Sequence, residues 1–355
     1  MGQNIIHIFP KEKFTTDYVR MINDHMNNTD NHTFYLYGND TYENLINSIT
    51  TYNNVKILRI NISFIYSLLR SDQVIFHSLF MKTKTLSFFS LMPFLARKAS
   101  WVIWGADLYD YKNLKKNLKS RITFLLKKHF TSRLRKIAVL TDSDFNLSRI
   151  WYKTSGEKYS VRYIDYQTID YIKKIKKNSF RSEEETNILV GNNATASNRH
   201  KEVLDLLSSY KDKSFNVYVP LSYGDETYKK DIINYGYKIL GEKFIPLTSF
   251  MEKKDYYDIL SKIDVAFFNN DRQQGLGNIR ILFYLGSKIY MYEKSSMYKD
   301  FEKNYIIYNM KNAKNGKFID MLSYQKESID HNSMMVSEFF SVDKAIREWD
   351  FFFKN

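Results

Sequence analysis

The chain alternates short apolar runs with amphipathic stretches from end to end, which restricts it to folds where helices cover a parallel sheet. In the first half, residues 4–9, 32–37, 55–60, 74–77, 101–104 and 137–140 read as strands. Helical periodicity fills the gaps at 15–26, 42–49, 62–69, 83–96 and 114–130. The charged, apolar-poor segment 165–186 reads as a boundary, and the alternation then resumes. Strands are expected at 187–190, 215–219, 238–240, 265–268 and 288–292, and helices at 200–207, 227–234, 250–262 and from Asn278. Residues 337–352 predict a closing helix. The expectation is an α/β protein of two Rossmann-like domains, 1–165 and 187–335, facing across a cleft, with 336–355 as a closing segment. A length of 355 residues suits two domains of the usual ~100–200 residues.

Two turns in the second half have the chemistry of anion sites. After the run 265–268 comes Asn269-Asn270-Asp271-Arg272-Gln273-Gln274-Gly275-Leu276-Gly277-Asn278, directly before a helix. Gly275 and Gly277 let backbone approach a ligand, and the free N–H groups of a helix start favour phosphate. Arg272, Gln273, Gln274 and Asn278 add donors, although a glycine-capped turn without a ligand would read the same way. After 188–190 comes Gly191-Asn192-Asn193-Ala194-Thr195-Ala196-Ser197-Asn198-Arg199-His200. Ser197 or Asn198 suits a helix cap, and Thr195, Ser197, Arg199 and His200 are donors to an anion. Two such turns in one domain point to a diphosphate-bearing ligand. Between them, 240–247 reads as a strand running into a turn, where Phe244 either seats a flat base or is an ordinary core residue. Neither domain begins with a spaced-glycine dinucleotide fingerprint or a P-loop.

In the first half, Asp107 stands just beyond a buried strand in Trp104-Gly105-Ala106-Asp107, placed either as a general base or as a helix cap. His77 ends another strand and is the second candidate for a catalytic group. Seven scattered histidines and no cysteine leave no paired metal spacing, so neither a metal nor a cofactor is expected.

Lys plus Arg outnumber Asp plus Glu by 53 to 39, a formal charge of +14, so anionic partners are expected. From Tyr111 to Thr141 there is no acidic residue, while Lys112, Lys115, Lys116, Lys119, Lys127 and Lys128 are among ten cations. Leu114, Leu118, Ile122 and Leu125 recur beside them at helical spacing. That pattern reads as a helix lying on an anionic membrane surface, or as a solvated face whose leucines pack on the sheet. No base-reading motif accompanies the cations, so nucleic acid is not expected. The apolar run 5–9 is short for a signal peptide, and 86–106 is interrupted by Arg97 and Lys98, so neither a leader nor a spanning helix is expected.

Taken together, Trp104-Gly105-Ala106-Asp107-Leu108-Tyr109, Val190-Gly191-Asn192 with Ser197-Asn198 and His200, Val219-Pro220 with Tyr223, and Arg272-Gln273-Gln274-Gly275 with Gly277 resemble glycosyltransferase family 56. These are the TDP-N-acetylfucosamine:lipid II N-acetylfucosaminyltransferases of enterobacterial common antigen synthesis. The resemblance spans roughly residues 76–285. It implies a GT-B fold, a dTDP-activated 4-acetamido-4,6-dideoxygalactose donor and an undecaprenyl-diphosphate-linked saccharide acceptor of a common-antigen or O-antigen pathway. It also implies a cytoplasmic protein attached peripherally to the inner membrane, and brings Asn192 and Tyr223 into the donor set. Many retaining GT-B enzymes carry a glutamate pair where Gln273 and Gln274 stand here, so their ribose contacts do not transfer. A non-catalytic basic binder of anionic lipid or nucleic acid is the rival expectation.

Overall fold

The computed structural model describes residues 2–12, 14–26, 30–38, 46–113, 118–178 and 185–355. Two units emerge, residues 1–165 with 341–355, and residues 166–340.

The first unit is built on seven parallel strands: β1 (Asn4–Pro10), β2 (Asn31–Tyr37), β3 (Val55–Ile57), β4 (Gln73–His77), β5 (Ala99–Ile103), β6 (Lys136–Val139) and β7 (Glu157–Ser160). Their order is β3-β2-β1-β4-β5-β6-β7, with Ile8 opposite both Tyr35 and Phe76. The central strands are apolar throughout because helices bury both faces. Ile6, Ile8, Phe76, Trp101 and Val139 face one way and pack with Phe64, Phe89 and Phe130 from the helices Ile62–Arg70, Thr83–Ser90 and Leu118–Thr131. The opposite face carries His7 and His77, which meet Tyr18 and, from the helix Val342–Lys354, Trp349.

The second unit has six parallel strands: β8 (Thr186–Val190), β9 (Phe215–Pro220), β10 (Phe244–Leu247), β11 (Val265–Phe268), β12 (Lys288–Met291) and β13 (Tyr308–Asn309). The order β10-β9-β8-β11-β12-β13 is doubly wound and reverses direction between β8 and β11. Ligands of such sheets bind outside the carboxyl ends at that reversal. The expected pair of Rossmann-like units is therefore present, and the topology itself points at the two glycine turns.

Several local expectations change. Residues 238–240, read as a strand, form the last turn of the helix Glu226–Leu240, whose Ile232, Gly236 and Leu240 bury at i, i+4 and i+8. A Cβ on Gly236 would lie 2.3 Å from the Phe244 ring, so the glycine lets this helix cross β10 closely. The predicted 83–96 helix breaks ahead of Pro93, which starts a separate turn, Pro93–Ala96. Within the boundary segment 165–186, Tyr166–Asn178 is a helix of the second unit, where Thr168 Oγ1 and Tyr257 Oη lie 2.7 Å apart. The predicted closing helix 337–352 starts five residues later, as Val342–Lys354 of the first unit, and Lys326–Ser337 before it is a separate helix of the second unit. Parts of the predicted helices at 42–49 and 114–130 lie outside the described residues.

Candidate functional site

The carboxyl ends of β8 and β11 are tied into one structure. Gly191, at φ +72°, follows β8 and donates its N–H to Phe267 O at 2.9 Å. A Cβ there would lie 2.5 Å from His200 Nε2 and 3.0 Å from Asn198 Oδ1, so only glycine fits. Asn198 is the knot of the loop: its amide donates to Asn193 O (3.0 Å), Asn193 Oδ1 (2.8 Å) and Thr195 Oγ1 (2.9 Å), and its Oδ1 accepts from Asn192 N (3.1 Å). Gln274 bridges the turns, accepting from Ser197 Oγ at 2.8 Å and donating to Asn192 Oδ1 at 3.1 Å. The β9 turn joins through Ala194, which donates to Tyr223 O at 2.8 Å and bridges Gly224.

Above this knot starts the helix Leu276–Leu285, with Gly275 as its N-cap at φ +70° and no side chain capping it. A Cβ on Gly277 would meet nothing within 4 Å, which leaves open space over the first turn. The first N–H groups of this helix have no side-chain cap, and a helix start with its dipole favours an anion. In the turns after β8 and β11, buried polar atoms lack partners: His200 Nε2, both amide atoms of Asn270, and Gln273 Oε1. Four such atoms in two neighbouring turns are unusual, because buried polar groups normally bond within the protein. His200 is held at Nδ1 by Tyr228 Oη (3.0 Å), and burial lowers its pKa to about 4, so it is neutral near pH 7. Arg199 stacks 3.9 Å over Tyr292 and binds Glu202 (2.6 Å), so it braces the rim.

Several expected residues sit here with a more specific part to play. Asn278 donates to Tyr256 Oη at 2.7 Å, and Tyr223 is exposed at the rim. Thr195 and Ser197 share a hydrogen bond of 3.1 Å at the half-buried surface of the loop. Arg272 is half-buried on the β11 turn. Phe244 does not belong to this group: it starts β10, at the opposite end of the sheet, and is buried in the core beneath Gly236 and Tyr237. At the carboxyl end of β10 the exposed aromatic is Phe250, 77% accessible, which sequence reading missed by placing the strand six residues early. Gly191→Ala should cost about 1–3 kcal/mol through the left-handed backbone and the His200 clash. Calorimetry should show the second unit's transition moving down by several degrees, and an unshifted transition would mean the loop relaxes freely.

The first unit buries both candidates for the base. Asp107 is 0% exposed and accepts from Leu79 N (2.9 Å), Trp101 Nε1 (2.7 Å) and Trp104 N (3.0 Å). It holds a turn and presents no oxygen to a substrate. His77 is also buried, with Nε2 3.0 Å from His7 Nδ1 and Nδ1 2.5 Å from Tyr163 Oη. His7 Nε2 lies 2.9 Å from His32 Nδ1, and Trp104 Nε1 lies 3.1 Å from Tyr163 Oη. Indole N–H is a donor only, so Trp104 donates to Tyr163, and the hydrogen-bonded chain continues through His77 and His7 to His32. Burial holds His77 and His7 well below the ordinary imidazole range, so both are neutral parts of the core. Sequence gave no sign of the chain, since three strands bring these histidines together. Among the described residues, no group of three His, Cys, Asp or Glu side chains is placed to hold a metal ion.

The basic helix changes too. Lys127 is 1% exposed, its Nζ donating to Asp107 O and Asp110 Oδ2 at 2.9 Å each, so it faces inward and not toward a membrane. Lys119 is exposed, and Lys128 is half-buried with its Nζ 6.0 Å over the Phe124 ring. The Lys112 side chain, Lys115 and Lys116 lie outside the described residues. Among the described residues no helix is long and apolar enough to cross a membrane.

Comparison with known proteins agrees with this architecture. The family model for 4-alpha-L-fucosyltransferase, glycosyl transferase group 56, matches residues 4–352. Among solved structures, Anabaena HepE in complex with UDP and glucose superposes with a TM-score of 0.68 at 9% identity, covering 99% of this chain and 100% of that one. A glycosyltransferase from Rickettsia africae gives 0.64 at 11% identity, covering 99% and 98%. The N-terminal domain of trehalose-6-phosphate phosphatase from Candida albicans gives 0.65 at 10% identity, covering 99% and 97%. At such identities the structural likeness establishes the fold, which is GT-B.

Proposed function

This chain belongs to the 4-alpha-L-fucosyltransferase family, glycosyl transferase group 56, and is a GT-B glycosyltransferase; we propose that its donor is dTDP-4-acetamido-4,6-dideoxygalactose and its acceptor an undecaprenyl-diphosphate-linked saccharide. In this reading the protein works on the cytoplasmic face of the inner membrane, attached peripherally, in common-antigen or O-antigen assembly. The observation that carries the donor site is the knotted pair of glycine turns, which hold four buried polar atoms without partners and an uncapped helix start. A diphosphate at the uncapped helix start meets N–H groups and a dipole already oriented, and those favour the charge that develops as the glycosyl bond breaks. Gln274, Asn198 and Gly191 shape the turns, while His200, Asn270 and Gln273 have bonding capacity left for the nucleotide sugar. Anabaena HepE was crystallised with UDP and glucose, so a nucleoside diphosphate is a ligand of a protein with this fold. The deoxysugar and the polyprenyl carrier rest on the family.

The decisive test is mass spectrometry of products from a panel of nucleotide sugars and a polyprenyl-diphosphate saccharide. Transfer from the dTDP-sugar supports the reading. Transfer only from another nucleotide sugar overturns the donor, and no transfer to the polyprenyl-linked saccharide overturns the acceptor.

Asn270 gives a sharper prediction for the same site. Its amide has no partner in the ligand-free protein, so Asn270→Ala removes no internal hydrogen bond and should leave the melting temperature unchanged or slightly raised. Titration calorimetry should find dTDP-sugar affinity lowered about 10- to 100-fold, the effect of losing two buried hydrogen bonds to ligand. Undiminished affinity would place the ligand elsewhere.

A further inference from the structure

The outer side of one helix layer in the first unit is apolar where water should meet it. Along Ile62–Arg70, Phe64 and Leu68 pack inward, while Ile62 (87% accessible), Tyr66 and Leu69 stand outward at i, i+4 and i+7. Along Leu118–Thr131, Lys127, Phe130 and Thr131 are buried, and Leu118 (72%), Ile122 and Leu125 form a second outward stripe with the same spacing. Between them stand Leu91 (77%) and Phe94. These helices are neighbours: Phe64 meets Phe88 and Phe89 of Thr83–Ser90, and Thr83 Oγ1 lies 2.7 Å from Thr123 Oγ1. The leucine stripe therefore does not anchor the basic helix to its sheet. A helix apolar on both sides needs a second apolar environment, and exposed apolar side chains gathered on one face mark an interaction site.

The charges identify that environment. Arg70 lies 4.6 Å over the Tyr66 ring, and Lys84, Arg97, Lys119 and Arg121 are exposed on the same elements as the apolar tips, whereas Lys98 Nζ is held by the carbonyls of Leu68, Leu69 and Ser71. Between residues 46 and 106 the sole acidic residue is Asp72, and between 111 and 141 there is none. We propose that this layer is the surface by which the protein lies on an anionic bilayer, with Ile62, Leu69, Leu91 and Leu118 entering the acyl boundary and the cations meeting headgroups. The inference rests on the reading of a lipid-linked acceptor and extends it from one helix to a three-helix face. A second copy is a poor occupant, because pairing this face with itself sets cations against cations. Aliphatic tips have no ring to stack on bases, which disfavours nucleic acid. A bilayer answers both features, with apolar residues in the boundary and each cation contributing attraction to acidic lipid.

The test uses the full chain and vesicles of equal parts phosphatidylglycerol and phosphatidylethanolamine, with phosphatidylcholine as the neutral control, and neither donor nor acceptor present. Wild-type protein should co-sediment with the anionic vesicles and keep part of its binding at about 1 M salt, where the Debye length is ~3 Å. Changing Ile62, Leu69, Leu91 and Leu118 together to Ser should lower affinity at least about 100-fold and abolish the salt-resistant part. All four are exposed, so the melting temperature should hold. Changing Lys84, Arg97, Lys119 and Arg121 to Gln should weaken mainly the low-salt binding. Undiminished vesicle binding by the Ser variant overturns the proposal, as does wild-type binding that vanishes with salt. A lipid-free dimer that the Ser changes dissociate would assign the face to a second copy and overturn it as well. Vesicle binding without any glycosyl transfer would count against the proposed reaction alone, whereas turnover on a soluble acceptor without vesicle binding would count against this surface alone.

Discussion

Between about pH 7 and pH 5 the first unit is expected to lose far more stability than the second. Burial holds His7 and His77 well below the ordinary imidazole range, and lowers His32 and His200 to about 4. The unfolded chain, with imidazoles near ~6.5, therefore binds more protons than the folded one, and stability falls as pH drops from ~6.5 toward the folded values. An imidazole that stays neutral in the folded protein contributes about 2 kcal/mol of loss over that window, and the first unit holds three such groups against His200 alone in the second. Against a total of about 5–15 kcal/mol this is decisive for the first unit. Its melting temperature should fall by ~15 °C and that of the second by ~5 °C. Calorimetry at both pH values, with limited proteolysis assigning each transition, reads this directly. His32→Asn should remove about a third of the first unit's shift. Equal shifts of both transitions would mean that the imidazole chain does not govern acid stability.

Replacing Asp107 by Asn should act on folding and not on chemistry. The carboxylate accepts three N–H groups inside the core, from Leu79, Trp101 and Trp104. An amide turns one acceptor into a donor facing a donor, and it removes the negative charge that the three N–H groups satisfy. Disrupting a buried charged network of this kind costs about 3–5 kcal/mol, or ~10 °C in the first unit's transition. Turnover measured well below the melting point should stay within a few-fold of wild type. Should the melting temperature hold while turnover falls about 10²-fold, Asp107 would be returned to the reaction as a base.

Much of the fold was legible because a parallel sheet covered on both faces demands apolar runs at strand length separated by helical periods, and both are local properties. The glycine turns after β8 and β11 were legible for the same reason. Gly191 and Gly275 adopt left-handed backbone in a strand-to-helix turn, which is a requirement written into one short stretch. The misplaced strand at 238–240 shows the limit of such reading. The helix runs on to Leu240, and Gly236 lets it cross Phe244 where an added Cβ would lie 2.3 Å from the ring, a demand made by a neighbour and not by local sequence.

What the sequence determined alone was therefore the layer architecture, the family motifs and the two turns at which backbone geometry requires glycine. Tertiary structure decided which side chains remain available. Asp107 and His77 stood at plausible strand ends, yet the first is consumed by three donors and the second by His7 and Tyr163. Lys127 sat in a run of cations but turned inward to a carboxylate and a carbonyl, while the leucine stripe beside it turned outward. Asn270, Gln273 and His200 kept unpaired atoms at the reversal between β8 and β11. Periodicity fixes which residues share a face of a helix or strand, but a polar group's availability depends on which distant donors and acceptors reach it, and strand order brings those together only once the sheet has closed.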